Sequence, residues 1–189
     1  MTESNSGRFK IKDIVFLALI SAATICTCAV MPLVASLQPV VFGIAQAVTG
    51  LQISIFFSIG LSKVRKPGSL LLMAFFTAII QLMMAPPMFF SSMFNGILLE
   101  LLVWLIFKGY EKDCAVFFAA AMYNPLSLPF NYLFNRFVNG PDSALVKVAD
   151  NAPWAAVGMT IAVIAISVIG TFLGMKIAGE LKKSGVLKK

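Results

Sequence analysis

The stretch WAAVGMTIAVIAISVIGTFLGMKIA, residues 154–178, decides the fold of this chain. Its one charged residue, Lys176, lies close to its end, and the other residues are apolar, small or hydroxyl-bearing. About 20 consecutive residues of this kind can cross the hydrocarbon core of a bilayer as a helix. Lipid offers the backbone no hydrogen bonds, so a helix, which satisfies its own backbone, is the expected form. We therefore predict that residues 154–178 form a transmembrane helix.

Apolar runs of the same kind fill most of the chain. The 189 residues are 59% hydrophobic and 12% charged, whereas a soluble domain is about 45–50% apolar and about 25% charged. We predict an all-α membrane protein, a six-transmembrane-helix bundle that forms a single integral membrane domain over residues 1–189. A proline pair, Pro86-Pro87, could instead kink one longer helix, because membrane helices tolerate proline. The predicted spans are at about 13–35, 39–62, 68–86, 88–107, 114–135 and 154–178.

The basic residues predict the orientation of the bundle. If the N-terminus is cytoplasmic, all but two of the 15 Lys and Arg residues fall on the cytoplasmic side, and only Arg136 and Lys147 lie outside. Membrane proteins keep positive charge on the cytoplasmic side of their helices. We therefore expect a multi-pass protein of the cell membrane with both the N- and C-termini cytoplasmic. The basic clusters could also contact anionic lipid or a partner, but they form no single polar patch that would indicate nucleic acid.

Motifs of enzyme or metal chemistry are missing from the sequence. It has no His, and its cysteines, Cys26, Cys28 and Cys114, lack the paired spacing of a zinc site. It also has no Walker, HExxH or GxSxG pattern. We predict no enzyme, no metal site and no cofactor.

The fifth predicted span carries a stripe of polar side chains. Its members follow one another at spacings of three, four and four, which place them on one helix face: Asn124, Ser127, Asn131 and Asn135. Pro125 and Pro129 cannot donate backbone hydrogen bonds, so nearby carbonyls become available to a ligand. Tyr123 adds a hydroxyl-bearing ring beside the stripe. Such amides can also join helices, but the length of the stripe favours a binding cavity.

The fourth predicted span contains Glu100, an acidic residue deep in an apolar run. Gly96 and Trp104 lie four residues to either side of it, so a small residue, a carboxylate and an indole share one face. This combination would suit a flat nitrogen heterocycle. Glu100 could instead bond a neighbouring helix, with Trp104 as an interface anchor. Weaker candidate substrate-binding residues are Asn95, Gln46 with Thr49 on one face of the second span, and Gln81 in the third, although each alone could simply join helices.

Two other features have open interpretations. The residues between the last two predicted spans, 137–153, could form a lid over the outer mouth or a plain connector. In the first span, Ala18 and Ala22 form a small-xxx-small pattern, which allows another helix to approach closely, either within the bundle or from a partner.

Several segments resemble the S component, the substrate-binding membrane subunit of energy-coupling factor (ECF) vitamin transporters. The opening Phe9-Lys-Ile-Lys-Asp-Ile-Val15, which leads into Ala18 and Ala22, carries the general resemblance. Two further segments are similar to the hydroxymethylpyrimidine and thiamine group of S components: Arg65-Lys-Pro-Gly68, and Asn95-Gly-Ile-Leu-Leu-Glu-Leu101 followed by Lys108-Gly-Tyr110.

The resemblance implies a function. An S component captures a vitamin from outside, here hydroxymethylpyrimidine, thiamine or a pyridoxine-like compound. It associates with a transmembrane T component and two ATPase subunits, and it topples in the membrane to deliver the vitamin inward. Ala18 and Ala22 would dock on the T component. Two alternatives remain, namely a structural or assembly membrane protein and a stand-alone proton-coupled carrier.

Overall fold

The computed structural model describes residues 9–28, 33–34, 36–37, 40–84 and 86–185, and no strand occurs in these ranges. The helices have the following bounds: α1 Ile11–Thr27, α2 Ile44–Lys63, α3 Ser69–Leu82, α4 Pro86–Phe107, α5 Asp113–Tyr123, α6 Ser127–Phe134, α7 Ala144–Asn151 and α8 Pro153–Lys183. A π-helical turn, Asn135–Asn139, continues α6.

The all-helical membrane fold is confirmed. Among the described helices, α2, α4 and α8 are long and apolar enough to cross a membrane, and α3 is a shorter apolar helix. The first predicted span, 13–35, is helical to Thr27, and its later part lies partly outside the described residues. The fifth predicted span is two helices, α5 and α6, rather than one. The count of six spans stays a prediction.

The proline pair separates α3 from α4. Pro86 is the first residue of α4, a position where a backbone N–H would have no acceptor within the helix, so proline costs no hydrogen bond there. Glu100, near the end of α4, reaches the start of α3, so the two helices run antiparallel as a hairpin. A Cβ atom on Gly96 would lie 2.5 Å from the Cβ of Ala74. Gly96 therefore allows close packing of α3 on α4, and the space beside it is filled by Ala74 rather than available to a ligand.

Small residues also let α8 pack closely on α2. A Cβ atom on Gly170 would lie 2.7 Å from the carbonyl oxygen of Leu51, and one on Gly174 would lie 2.5 Å from that of Ile55. In a membrane, close backbone approach of this kind replaces the hydrophobic effect as the main source of helix association. The long predicted span of residues 154–178 is thus anchored along α2.

Ion pairs gather three chain segments at one end of the bundle. Lys66, between α2 and α3, pairs with Asp13 at the start of α1, with 2.8 Å between Nζ and Oδ2. Arg65 pairs with Asp113 at the start of α5 and donates from Nη1 to the Glu111 carbonyl at 2.9 Å. These contacts bring together the basic segments that the sequence predicts to be cytoplasmic.

Candidate binding cavity

A cavity of about 250 Å³ lies at the end of the bundle opposite these ion pairs. It lies where α2 begins, α3 ends and α4 begins, next to the break between α5 and α6. Its polar lining residues are Gln46, Thr49, Thr77, Gln81, Ser91, Ser92, Asn95, Tyr123, Asn124, Ser127, Asn131 and Asn135. Its apolar lining residues are Ile53, Pro87, Met88 and Leu145.

The cavity brings together most of the predicted substrate-binding residues. The whole polar stripe of the fifth predicted span faces it, and so do five residues predicted separately: Gln46, Thr49, Gln81, Asn95 and Tyr123. Tyr123 is almost fully buried, and its ring packs on that of Phe57 with centroids 4.5 Å apart. Whether these residues bind a substrate stays a prediction, but the fold places them around one space.

The break between α5 and α6 shapes one wall of the cavity. Pro125 has no N–H to donate to the Ala121 carbonyl, so α5 ends at Tyr123 and the chain turns before α6 begins at Ser127. The hydroxyl of Ser127 donates to the Asn124 carbonyl at 2.7 Å and stabilises the turn. The stripe therefore follows two helix segments and the turn between them.

Asn124 connects this wall to α2. Its Nδ2 atom donates to the backbone carbonyl of Gln46 at 2.7 Å. Gly50 makes room for the amide, because a Cβ atom there would lie 2.7 Å from Nδ2. The amide is thus held in a fixed position at the edge of the cavity.

Three cavity residues have buried polar atoms with no hydrogen-bond partner in the described part of the chain. They are Gln46 Oε1, Thr77 Oγ1 and Asn95 Oδ1. Such atoms are rare in proteins and cost about 1–3 kcal/mol each when left unsatisfied. All three residues line the cavity, so their amide and hydroxyl groups are candidates for hydrogen bonds to a small molecule there.

Sequence reasoning missed part of the lining. Thr49, Thr77, Gln81, Ser91 and Ser92 face the cavity, and the hydroxyl of Ser92 donates to Gln81 Oε1. Thr49 and Gln81 are among the weaker sequence candidates, so the residues that were missed are Thr77, Ser91 and Ser92. Thr77 is polar within an apolar run, which could have identified it. The two serines follow the proline pair too closely for the pattern to show which way they face.

The segment after α6 covers one side of the cavity. Leu145, from α7, lines it, while Val146 and Ala149 of the same short helix are buried. At its end α7 is held by a hydrogen bond from the Tyr132 hydroxyl to Asp150 Oδ1, 2.7 Å long. The 137–153 segment therefore contains a helix that packs against the site.

Glu100 lies away from the cavity, in contrast to its predicted place among the substrate-binding residues. Its carboxylate accepts hydrogen bonds from the backbone N–H groups of Gly68 at 2.6 Å and Leu71 at 3.3 Å. These groups belong to the start of α3, where N–H groups have no partner within the helix and the helix dipole favours negative charge. Glu100 thus caps α3 from α4.

Tyr110 completes this cap. Its hydroxyl donates to Glu100 Oε2 at 2.9 Å, and its side chain is almost fully buried. Burial, together with the nearby carboxylate, raises the pKa of Tyr110 above its usual value, so the phenol stays protonated and donates. The polar neighbours of Glu100 are therefore structural groups at the ion-paired end of the bundle.

The other predicted residues lie on outer surfaces. Trp104 is 63% exposed and does not line the cavity. Ala18 and Ala22 are half-buried on α1, beside the exposed Val15 and Leu19. The adjacent face of α1 packs on α3, where the Ser21 hydroxyl donates to the Met73 carbonyl at 3.2 Å.

Comparison with known proteins assigns this architecture to a class. The structure is similar to the crystal structure of an S-component of an ECF transporter, with a TM-score of 0.66 at 20% sequence identity. The likeness covers 95% of this chain and 89% of that chain. The chain thus has the fold of an S-component. No curated protein sequence matches it.

A family model matches residues 11–183, nearly the whole described chain. The chain belongs to this family, Trep_Strep, which is described as hypothetical bacterial integral membrane proteins.

Proposed function

We propose that this chain is the substrate-binding S component of an ECF-type importer. It captures a small vitamin or vitamin precursor from outside the cell in the cavity between α2 and α6. The main support for this proposal is that Gln46, Thr77 and Asn95, which line one cavity, have buried polar atoms without partners in the described part of the chain, in a bundle with an S-component fold. Hydroxymethylpyrimidine, thiamine and pyridoxine-like compounds are the leading substrates.

The energy for uptake comes from partner subunits. The sequence has no nucleotide-binding motif, so a transmembrane T component and two ATPase subunits drive the cycle. The T component docks on Ala18 and Ala22, and the chain topples to present its cavity inward. Both termini are cytoplasmic in this arrangement, in the cell membrane, and the cavity opens outward with α7 as its cover.

The direct test is identification of what the purified chain carries. The full chain is purified in detergent, denatured, and the released small molecules are analysed by mass spectrometry. We expect a vitamin-like metabolite, and we expect Asn95→Leu to carry at least about 10-fold less of it, because the variant removes a buried acceptor that the metabolite satisfies.

The control is Asn151→Leu, which makes the same change at an exposed position at the end of α7. It should carry as much metabolite as the unmodified chain. The proposal fails if no metabolite is released and the chain also does not purify with T and ATPase subunits. Uptake into vesicles by this chain alone, driven by a pH gradient without ATP, would instead identify a stand-alone carrier.

A further inference from the structure

We infer that the cavity selects an uncharged heteroaromatic molecule with hydrogen-bonding groups along its edge, and that it rejects cations and anions. The inference rests on the proposed function and specifies the substrate of that site. The inference predicts that neutral vitamin precursors such as hydroxymethylpyrimidine bind more tightly than thiamine, whose thiazolium ring is cationic.

The first observation is the charge of the lining. All the cavity residues in the described part of the chain are neutral. The internal residues outside that part, at 29–32, 35, 38–39 and 85, are Ala, Val, Met, Pro and Gln, so they cannot add a charge either. A charged ligand would therefore lose its hydration without gaining a counter-charge, which is costly within a membrane protein.

The charged side chains close in sequence to the lining residues Asn135 and Leu145 are paired with each other. Arg136 pairs with Asp150, with 3.8 Å between Nη1 and Oδ2. Lys147 pairs with Asp142, with 3.0 Å between Nζ and Oδ1. These side chains are about half or more exposed, so water screens them and they give the cavity interior little net potential.

The second observation is the kind of atom left unpartnered within the described residues. Gln46 Oε1 and Asn95 Oδ1 are amide oxygens, which only accept hydrogen bonds, and Thr77 Oγ1 can accept as well as donate. The same two amides also carry N–H donors. They can therefore bind a ligand edge that offers donors, such as an exocyclic amine or a hydroxymethyl group, or acceptors, such as ring nitrogens.

The third observation is size and the distribution of apolar groups. The cavity volume of about 250 Å³ lies below the range of about 300–1,000 Å³ that is common for drug-sized ligands. Ile53, Met88 and Leu145 offer apolar surface among the polar groups. A small aromatic molecule with apolar ring faces and a polar edge satisfies both kinds of surface.

The test compares probes that differ in charge and little else. Thiamine is compared with its neutral thiophene isostere, and pyridoxine with 4-pyridoxic acid, which has a carboxylate in place of one hydroxymethyl group, by calorimetry on the full chain in detergent. We expect the neutral member of each pair to bind at least about 10-fold more tightly, because no counter-charge offsets the loss of hydration. A charged member that binds as tightly as its neutral partner, or more tightly, would overturn the inference.

A charge introduced into the cavity should reverse the preference. Asn95→Asp places a carboxyl group among the lining residues. Because burial favours its neutral form, the ratio is measured up to about pH 9, where the carboxylate forms and the affinity for thiamine should rise relative to the isostere by about 10-fold or more. Asn151→Asp, the matched control at the exposed end of α7, should leave the ratio unchanged. An unchanged ratio in Asn95→Asp would contradict the inference.

Two further outcomes distinguish a failure of the inference from a failure of the proposed function. If no probe binds while the chain still purifies with T and ATPase subunits, the inferred ligand class is wrong and the S-component function stands. If no probe binds, no metabolite is released and no partner purifies with the chain, both are wrong.

Discussion

At the residue scale, Glu100 shows how a buried charge can be structural in a membrane protein. A carboxylate within an apolar helix usually indicates a functional site, because it is costly without a partner. Here the partners are two backbone N–H groups at the start of α3 and the hydroxyl of Tyr110. The same atoms that would make Glu100 a good ligand-binding group are already used to cap a helix.

We predict that Glu100→Gln lowers the stability of the chain without changing its ligand. The glutamine amide carries no charge, so it accepts weaker hydrogen bonds from the N–H groups of Gly68 and Leu71 than the carboxylate does. The free energy of unfolding should therefore fall by about 1–3 kcal/mol. Denaturant titration in detergent measures this loss, and the yield of bound metabolite should stay within about twofold because Glu100 does not touch the cavity.

The control for this prediction is Glu111→Gln, at an exposed position in the loop before α5, which should change neither quantity. Should Glu100→Gln keep its stability but lose the metabolite, Glu100 would belong to the binding site after all.

At the element scale, the break between α5 and α6 is the feature that builds the cavity wall. Two prolines lie close together there, but they have different effects. Pro125 removes the donor that would continue α5, whereas Pro129 lies in the first turn of α6, where N–H groups have no partner within the helix. The turn between the helices allows Asn124 to reach the Gln46 carbonyl.

We predict that Pro125→Ala and Pro129→Ala have different effects on binding. Pro125→Ala restores a backbone N–H that can donate to the Ala121 carbonyl and extend α5, which would rotate Asn124 and Ser127 away from their present contacts. Metabolite binding should fall by at least about 10-fold, whereas thermal stability should not fall, because alanine is favoured over proline by up to about 3 kcal/mol once the position becomes helical.

Pro129→Ala serves as the matched control, since it restores an N–H group that has no helical acceptor. Its binding and its stability should both stay close to those of the unmodified chain. Equal binding by the two variants would mean that the break does not shape the site.

At the scale of the whole molecule, the two ends of the bundle have different roles. One end is tied by the ion pairs of Lys66 and Arg65 and by the Glu100 cap. The other end holds the neutral polar cavity and its cover, α7. The α1 surface around Ala18 and Ala22 runs between them, and its outer side, with Val15 and Leu19, is exposed.

We predict that this surface is where the T component docks. Replacement of Ala18 and Ala22 together by Phe would block close helix approach, so purification with the T and ATPase subunits should fall by at least about 10-fold. The metabolite released from the variant should be unchanged, because no residue of α1 is among those that line the cavity in the described part of the chain.

Ala165→Phe, on an exposed position of α8, controls for a general effect of added aromatic surface and should leave the complex intact. Complex formation that survives the double substitution would exclude α1 as the docking surface.

The sequence by itself determined the class of fold and much of the cavity lining. Long apolar runs must be helical in lipid because only a helix satisfies its own backbone there. Polar residues repeated at helical spacing must share a face, and burying that face in lipid is costly, so the stripe from Asn124 to Asn135 could be predicted to face the interior.

Only the tertiary structure decided which side chains meet. Glu100 and Gly68 are far apart along the chain, and the packing of α3 on α4 brings them together. The same packing brings Thr77 and Gln81 into the cavity lining together with Asn95. Helical spacing defines a face but not the neighbour that this face meets, because that depends on how the glycines and prolines let the helices approach and turn.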